Sequence, residues 1–384
     1  MKKILTIVGA RPQIIKASAL SRKINDKFHN EIQEIILHTG QHYDPNMSDV
    51  FFKEMGIPEP KYNLNVGSGS HGHQTANIIK GVEDVLLLEK PDGLLVYGDT
   101  NSTLASSLAA SKLGIPVFHV EAGLRSYNME MPEEINRLLT DHISKILFCP
   151  TKEASINLNA EGFNTAMGVY PKRERTVFIS GDIMYDNALY FSPISQAKST
   201  ILEQLGLEKE GFILFTMHRN NNTDDPIRLN QIISSILEIV ENTGLQLVFP
   251  IHPRTQKSIK NNLDTQLYDA LVAHKSIQMV APTGYLDTIS LLKNSKIVLT
   301  DSGGLQKESF FFKKPCVILR SESEWIELVE NGNAVLADAD PHLIINAVGD
   351  LLTKTNYTYP EFYGDGDASG FIMTKIFEYY ENQI

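Results

Sequence analysis

Cysteine is scarce in this chain, with two residues in 384. Cys149 and Cys316 each lie in an apolar, strand-like run and read as buried thiols in a reducing cytoplasm, not as a disulfide. Long apolar runs are missing: no stretch approaches the length that spans a bilayer, and Lys2-Lys3 lead into a short strand, not a secretory leader. The expectation is a soluble, cytoplasmic protein without a membrane partner. Positive charge is also in deficit. Thirty-five Lys and Arg against 46 Asp and Glu leave a net charge of -11, which disfavours nucleic acid as a partner but leaves local cations to hold a small anion. A dinucleotide fingerprint is lacking, because Gly9 stands alone after the first strand, so a nicotinamide cofactor is disfavoured. His71-Gly72-His73 has no clear third ligand, and no metal is expected.

What is present is an alternation of strand and helix patterns through a length that favours two domains. Apolar strand runs at 4–8, 34–37, 93–97, 115–120, 145–149 and 177–179 precede a boundary near residue 186. Runs at 212–216, 245–249, 277–280, 296–300 and 316–319 follow it, and a helix over Ser195–Leu205 is predicted to open the second half. Residues 65–73 read as a glycine- and serine-rich loop, and 167–176 as a proline- and cation-containing connection. The fold class is α/β, with two doubly wound, Rossmann-like domains facing a central cleft.

In such sheets chemistry gathers where strands end. Asp99 follows the run 93–97, and Glu121 follows 115–120; they come from successive strands expected to be neighbours. Pro132 suits the first position of a helix, with Glu133 and Glu134 in its first turn and Arg137 one turn after Glu133. By themselves these two glutamates are equally well read as partners of the helix dipole. Arg11 and Lys16 stand at the first strand–turn–helix junction, where they either meet an anion or remain solvated surface cations. His38-Thr39-Gly40-Gln41-His42 ends the second strand. In the second half the strand ends carry Met217-His218-Arg219, Ile251-His252-Pro253-Arg254 and Asp301-Ser302-Gly303-Gly304. The last offers open backbone N–H groups and a helix dipole to a diphosphate, or is simply a tight turn. Glu308 lies about one turn further on.

Taken together, from Gly9-Ala10-Arg11-Pro12 to Asp301-Ser302-Gly303-Gly304-Leu305-Gln306, the chain resembles the non-hydrolysing UDP-N-acetylglucosamine 2-epimerase family. The resemblance implies the GT-B fold, with a C-terminal helix at Phe371–Tyr380 returning to the first domain, so that residues 1–186 and 366–384 form one domain and 187–365 the UDP-binding one. It implies anti elimination of UDP to a 2-acetamidoglycal, then re-addition with the proton delivered to the opposite face, interconverting UDP-GlcNAc and UDP-ManNAc for surface polysaccharide. It implies Asp99, Glu121, Glu133, His218 and Lys16 as the catalytic set. Arg11, Gln41, Arg137, Arg219, His252, Tyr285, Ser302, Gly303, Gly304, Glu308 and Arg320 are implied as substrate contacts, with the glycines cradling the diphosphate and Glu308 reaching the ribose. No cofactor is required. A homodimer is implied, with a UDP-sugar and UDP as small-molecule partners.

Several positions depart from the family pattern. Ala10 replaces its usual threonine, His252-Pro253-Arg254-Thr255 replaces His-x-Asn-Pro, and Arg320-Ser321-Glu322-Ser323-Glu324-Trp325 stands where Thr-Glu-Arg-Pro-Glu is usual. Asp44 replaces a glutamine thought to contact an activating second substrate molecule. These features point toward modified sugars such as UDP-2,3-diacetamido-glucuronate or a 6-deoxy N-acetylhexosamine. The competing classes are a GT-B glycosyltransferase, a hydrolysing epimerase and a non-catalytic nucleotide-sugar binder.

Overall fold

The computed structural model describes residues 1–41, 52, 55–163 and 175–381. His42, Asp44, most of the 167–176 connection and the last three residues lie outside the described residues. The chain divides into two compact units, Met1–Asn187 with Glu361–Ile384, and Ala188–Pro360.

The first unit holds a parallel sheet of β1 (Lys2–Val8), β2 (Ile32–His38), β3 (Tyr62–Asn63), β4 (Gly93–Tyr97), β5 (Val117–Val120), β6 (Ile146–Cys149) and β7 (Thr176–Ile179). Its order is β3-β2-β1-β4-β5-β6-β7, so the direction of winding reverses between β1 and β4. There the two following loops diverge and open a crevice at the carboxyl edge. The inner strands are apolar on both faces because helices cover both; β4 is buried at all five positions. Leu5, Ile7, Leu37, Leu94 and Val96 join Ile78, Val82 and Ala105 from the flanking helices in one core. In the β4–β5 register Tyr97 pairs with Val120, which sets Gly98 beside Glu121.

The unit closes with the helix Ala368–Glu381, slightly longer than the sequence pattern indicated. It buries Ile372, Met373, Ile376 and Tyr380, and Phe118 meets the rings of Tyr379 and Tyr380 at 5.6 and 6.0 Å. Asp186 accepts the otherwise orphaned N–H groups of Ala368 at 3.0 Å and Ser369 at 2.8 Å, acting as a cap supplied from a distant part of the chain.

The second unit repeats the plan. β8 (Phe212–Thr216), β9 (Gln246–Pro250), β10 (Ile277–Val280), β11 (Ile297–Thr300), β12 (Cys316–Ile318) and β13 (Ala334–Leu336) lie parallel in the order β10-β9-β8-β11-β12-β13. The switch point falls between β8 and β11, whose Thr216 and Thr300 are register partners joined hydroxyl to hydroxyl at 2.6 Å. Phe215 and Phe249 pack at 4.4 Å in a core completed by Ile232, Ile236, Leu299 and Ile344.

Three expectations need correction. No helix spans Ser195–Leu205: one helix runs Ile183–Lys198, with Pro193 inside it, and a separate short one runs Ile201–Gln204. The Asp182 carboxylate accepts the Met184 N–H at 2.7 Å and starts the first helix earlier than its weak apolar periodicity suggests. The 65–73 loop ends at Ser70, because His71 and His73 already belong to the helix His71–Glu89. β3 and β13, two and three residues long, are additions that no apolar run announced. Both cysteines are free and buried, and burial pushes the Cys316 thiol up to about 12.

Candidate active site

At the first unit's switch point, Gly9 ends β1 with no room for a side chain: a Cβ there would lie 2.2 Å from Ser102 Oγ and 2.3 Å from Thr39 Oγ1. The helix Arg11–Lys23 starts with Pro12 in its first turn and carries Lys16 one turn along. Lys16 Nζ lies 2.6 Å from Glu121 Oε2, and both side chains are nearly buried, 12% and 11% exposed. Glu121 has φ +72°, a left-handed conformation that a residue with a Cβ adopts only under constraint from its surroundings.

Asp99 is gripped by Arg137 Nη2 through its carboxylate, while Asn136 Nδ2 donates to its carbonyl at 2.9 Å. Both partners come from the helix Pro132–Ile143. Arg137 Nη1 also donates to Glu134 at 3.0 Å, so the arginine partners Asp99 and Glu134, not the Glu133 one turn before it. Glu134 is buried and accepts from Ser126 N–H and Oγ–H, both at 2.9 Å, and Tyr127 N–H at 3.0 Å. It holds the 126–131 loop. Glu133 is exposed and its carboxylate has no hydrogen bond or ion pair among the described residues, so nothing fixed occupies it.

Behind these acids lies a closed polar network. His119 sits between Asp141 Oδ1 at 2.7 Å and the Gly98 carbonyl at 2.8 Å, with no exposure. Arg125 joins Asp141 Oδ2 at 2.8 Å and reaches both Glu161 oxygens, at 2.6 and 2.7 Å. Burial pushes the Asp141 carboxyl up, but hydrogen bonds and charge from His119 and Arg125 outweigh it and hold it below the usual carboxylate range. Gln41 serves the same scaffold. Its Oε1 accepts the Ser102 N–H at 2.9 Å and hydroxyl at 2.6 Å, stabilising the start of the Asn101–Lys112 helix.

In the second unit Asp301, wholly buried at the end of β11, organises the end of β8. It accepts N–H groups of His218 at 3.1 Å and Arg219 at 3.0 Å and the Asn222 amide at 3.2 Å. Burial raises its carboxyl, yet the His218 ring, the Arg219 N–H and Asn222 together hold it low. The His218 side chain is 55% exposed with Nδ1 3.3 Å from Asp301 Oδ1, leaving its far edge to solvent. Ser302 is the N-cap of the helix Gly303–Phe311, and a Cβ added at Gly304 would meet nothing within 4 Å. The N–H groups of that first turn are open to an anion. Glu308 is half-buried further along the same helix.

Three anticipated contacts have protein partners in this structure. Arg320 is buried in a bidentate pair with Glu324, 2.9 and 3.1 Å. Tyr285 is 3% exposed and packs edge-on against Phe191 at 5.4 Å. His252 caps the helix Pro253–Asn262, its Nδ1 accepting the Arg254 N–H at 3.3 Å. Sequence reasoning did not single out Asp141, Asn136, Asn222 or the supporting roles of His119 and Asp301. Only the polarity of Asp301 directly after an apolar strand was a usable signal.

Two doubly wound parallel sheets, one with paired acidic and basic side chains at its carboxyl edge and one with an open helix N-terminus, define a two-domain α/β enzyme of the GT-B type. The family model described as UDP-N-acetylglucosamine 2-epimerase matches residues 25–377, and the chain belongs to that family. It is 48% identical to UDP-2,3-diacetamido-2,3-dideoxy-D-glucuronate 2-epimerase of Pseudomonas aeruginosa, over 98% of this chain and 99% of that one. It is 40% identical to a UDP-N-acetylglucosamine 2-epimerase of Methanococcus maripaludis, over 98% and 99%. The crystal structure of the Methanocaldococcus jannaschii UDP-GlcNAc 2-epimerase with UDP-GlcNAc and UDP aligns with a TM-score of 0.86 at 41% identity, covering 97% of this chain and 99% of that one. Among the described residues no helix is long and apolar enough to cross a membrane.

Proposed function

We propose that the chain inverts carbon 2 of a UDP-linked N-acetylhexosamine by anti elimination of UDP and re-addition to the resulting 2-acetamidoglycal. The observation that carries this reading is the pair of strand-end carboxylates, Glu121 on Lys16 at 2.6 Å and Asp99 on Arg137, held on neighbouring strands. The carbon 2 proton of such a sugar is not acidified by a carbonyl, so its removal must be coupled to departure of the diphosphate. One carboxylate takes that proton as the bond from carbon 1 to the diphosphate oxygen breaks; a carboxylic acid returns a proton to the opposite face as the bond re-forms. Asp99, Glu121 and the unpaired Glu133 are the candidates for these tasks. Lys16 and Arg11 supply positive charge to the first unit, and Arg219 does so beside the open helix N-terminus at Ser302, Gly303 and Gly304, where the exposed edge of the His218 ring adds a hydrogen-bonding group, which suits a diphosphate. Glu308 is assigned to the ribose hydroxyls.

Proton NMR in deuterated water tests this. With UDP-N-acetylglucosamine the carbon 2 proton should exchange while UDP-N-acetylmannosamine appears. A modified substrate, UDP-2,3-diacetamido-glucuronate, is the second reading, favoured by the 48% identity to the Pseudomonas enzyme that bears its name. It predicts exchange with that sugar and none with UDP-N-acetylglucosamine. Sugar transfer only when an acceptor is added, with no exchange in any UDP-sugar, would replace both readings by a glycosyltransferase. We further read the enzyme as a cytoplasmic homodimer supplying surface polysaccharide synthesis; light scattering of the purified protein at a monomer mass would remove the dimer.

A further inference from the structure

We propose that His119, held between Asp141 and the Gly98 carbonyl, is the positioning residue that fixes the three candidate acid/base carboxylates relative to one another; this rests on the epimerase reading of the first unit. Both ring nitrogens are engaged. Nε2 faces the Gly98 carbonyl at 2.8 Å, which can only accept, so Nε2–H donates to it. Nδ1 faces Asp141 Oδ1 at 2.7 Å. The other Asp141 oxygen accepts from Arg125 Nη1 at 2.8 Å and the Gly123 N–H at 3.2 Å, and Arg125 continues to Glu161 at 2.6 Å, so the ring is anchored on a fixed partner.

The position of the ring gives it consequence. Gly98 directly precedes Asp99, His119 lies two residues before Glu121 on the same strand, and Asp141 belongs to the helix that carries Glu133 in its first turn and grips Asp99 through Arg137. One side chain thus ties together the three elements that carry Asp99, Glu121 and Glu133. Gly98, Glu121 and Gly123 all have left-handed φ, +63°, +72° and +79°, a sharp backbone path that needs support from outside itself. A Cβ at Gly98 would lie 3.3 Å from Lys16 Nζ and 3.9 Å from Glu121 Oε1, so movement of the Gly98 peptide reaches that ion pair directly. The charged groups around the ring are Asp141 and Arg125 with its partner Glu161, and, beyond Gly98, Lys16 and Glu121.

His119→Phe keeps the bulk and removes both ring nitrogens, so kcat should fall on the order of 100-fold, as expected for misplaced reacting groups. KM and UDP affinity should stay within about threefold, because the second unit is untouched. His119→Gln, with an amide donor for the Gly98 carbonyl, should recover at least about tenfold of that loss. Unchanged kcat in His119→Phe, a loss confined to KM, or no recovery in a folded His119→Gln would each overturn the assignment. Should His119→Phe not fold by circular dichroism, the folded His119→Gln decides the matter: it keeps one of the two contacts, so kcat should stay several-fold below wild type with KM held, and a wild-type kcat overturns the assignment. Failure of the underlying epimerase reading looks different: the wild type would then exchange no carbon 2 proton in any UDP-sugar.

Discussion

The two units share a winding pattern but arm their carboxyl edges differently. In the first, polar side chains meet one another: Lys16 with Glu121, Asp99 with Arg137 and Glu134, His119 with Asp141, Arg125 and Glu161. In the second, one buried carboxylate, Asp301, gathers backbone N–H groups, and the neighbouring helix leaves its own N–H groups open. Side-chain pairs fix where a proton is given or taken; open backbone donors hold an anion that must arrive and leave. On the proposed reading the same topology would serve two tasks, and the difference lies in what the strand ends carry.

The largest test of that contrast is Glu121→Gln, which preserves shape and removes the charge paired with Lys16. Turnover should fall by at least about 100-fold, the usual scale for a lost acid/base group, while UDP affinity by calorimetry changes by less than about threefold. An equal loss of UDP binding would mean that the units do not divide the work. The converse variant is Asp301→Ala. It should weaken UDP binding by about tenfold or more, since a hydrogen bond to a charged group is worth roughly 1.5–3 kcal/mol and several organise this loop.

Asp141→Asn tests the support beneath the acids. Breaking a buried charged pair costs about 3 kcal/mol, so urea unfolding at neutral pH should shift accordingly. The sign of its pH dependence is fixed: the Asp141 carboxyl is held below its ordinary value in the folded protein, so its contribution is complete above about pH 4 and fades as pH falls through the lowered value. The gap between wild type and variant should therefore narrow on acidification. Asp186→Ala is the smallest perturbation. Loss of the cap on Ala368 and Ser369 should cost about 1 kcal/mol, read as earlier exchange of amide hydrogens in the C-terminal helix with activity retained.

Much of this was legible in the sequence where one physical signal dominated. β1, β4, β8 and β11 are continuous apolar runs because both their faces are covered, and Asp99 and Glu121 stand out as the first acids after such runs. β3 and β13 escaped because two or three residues cannot show a period. The Ile183–Lys198 helix escaped because Pro193 and a weak apolar stripe hide it. Asp141 and Asp301 act on groups 22 and 83 residues away, and no local pattern encodes such a meeting. The charge of Arg320 was visible in the sequence, but its pairing with Glu324 was not.

The return of the chain to its first unit has a consequence for synthesis. On the ribosome, residues 1–187 emerge first, yet the space that Ile372, Met373, Ile376 and Tyr380 fill stays empty until residues 188–360 have been made. At ordinary translation speed that wait is roughly ten to thirty seconds. The second unit can fold from one uninterrupted segment during the interval, so the unit begun first is the one finished last.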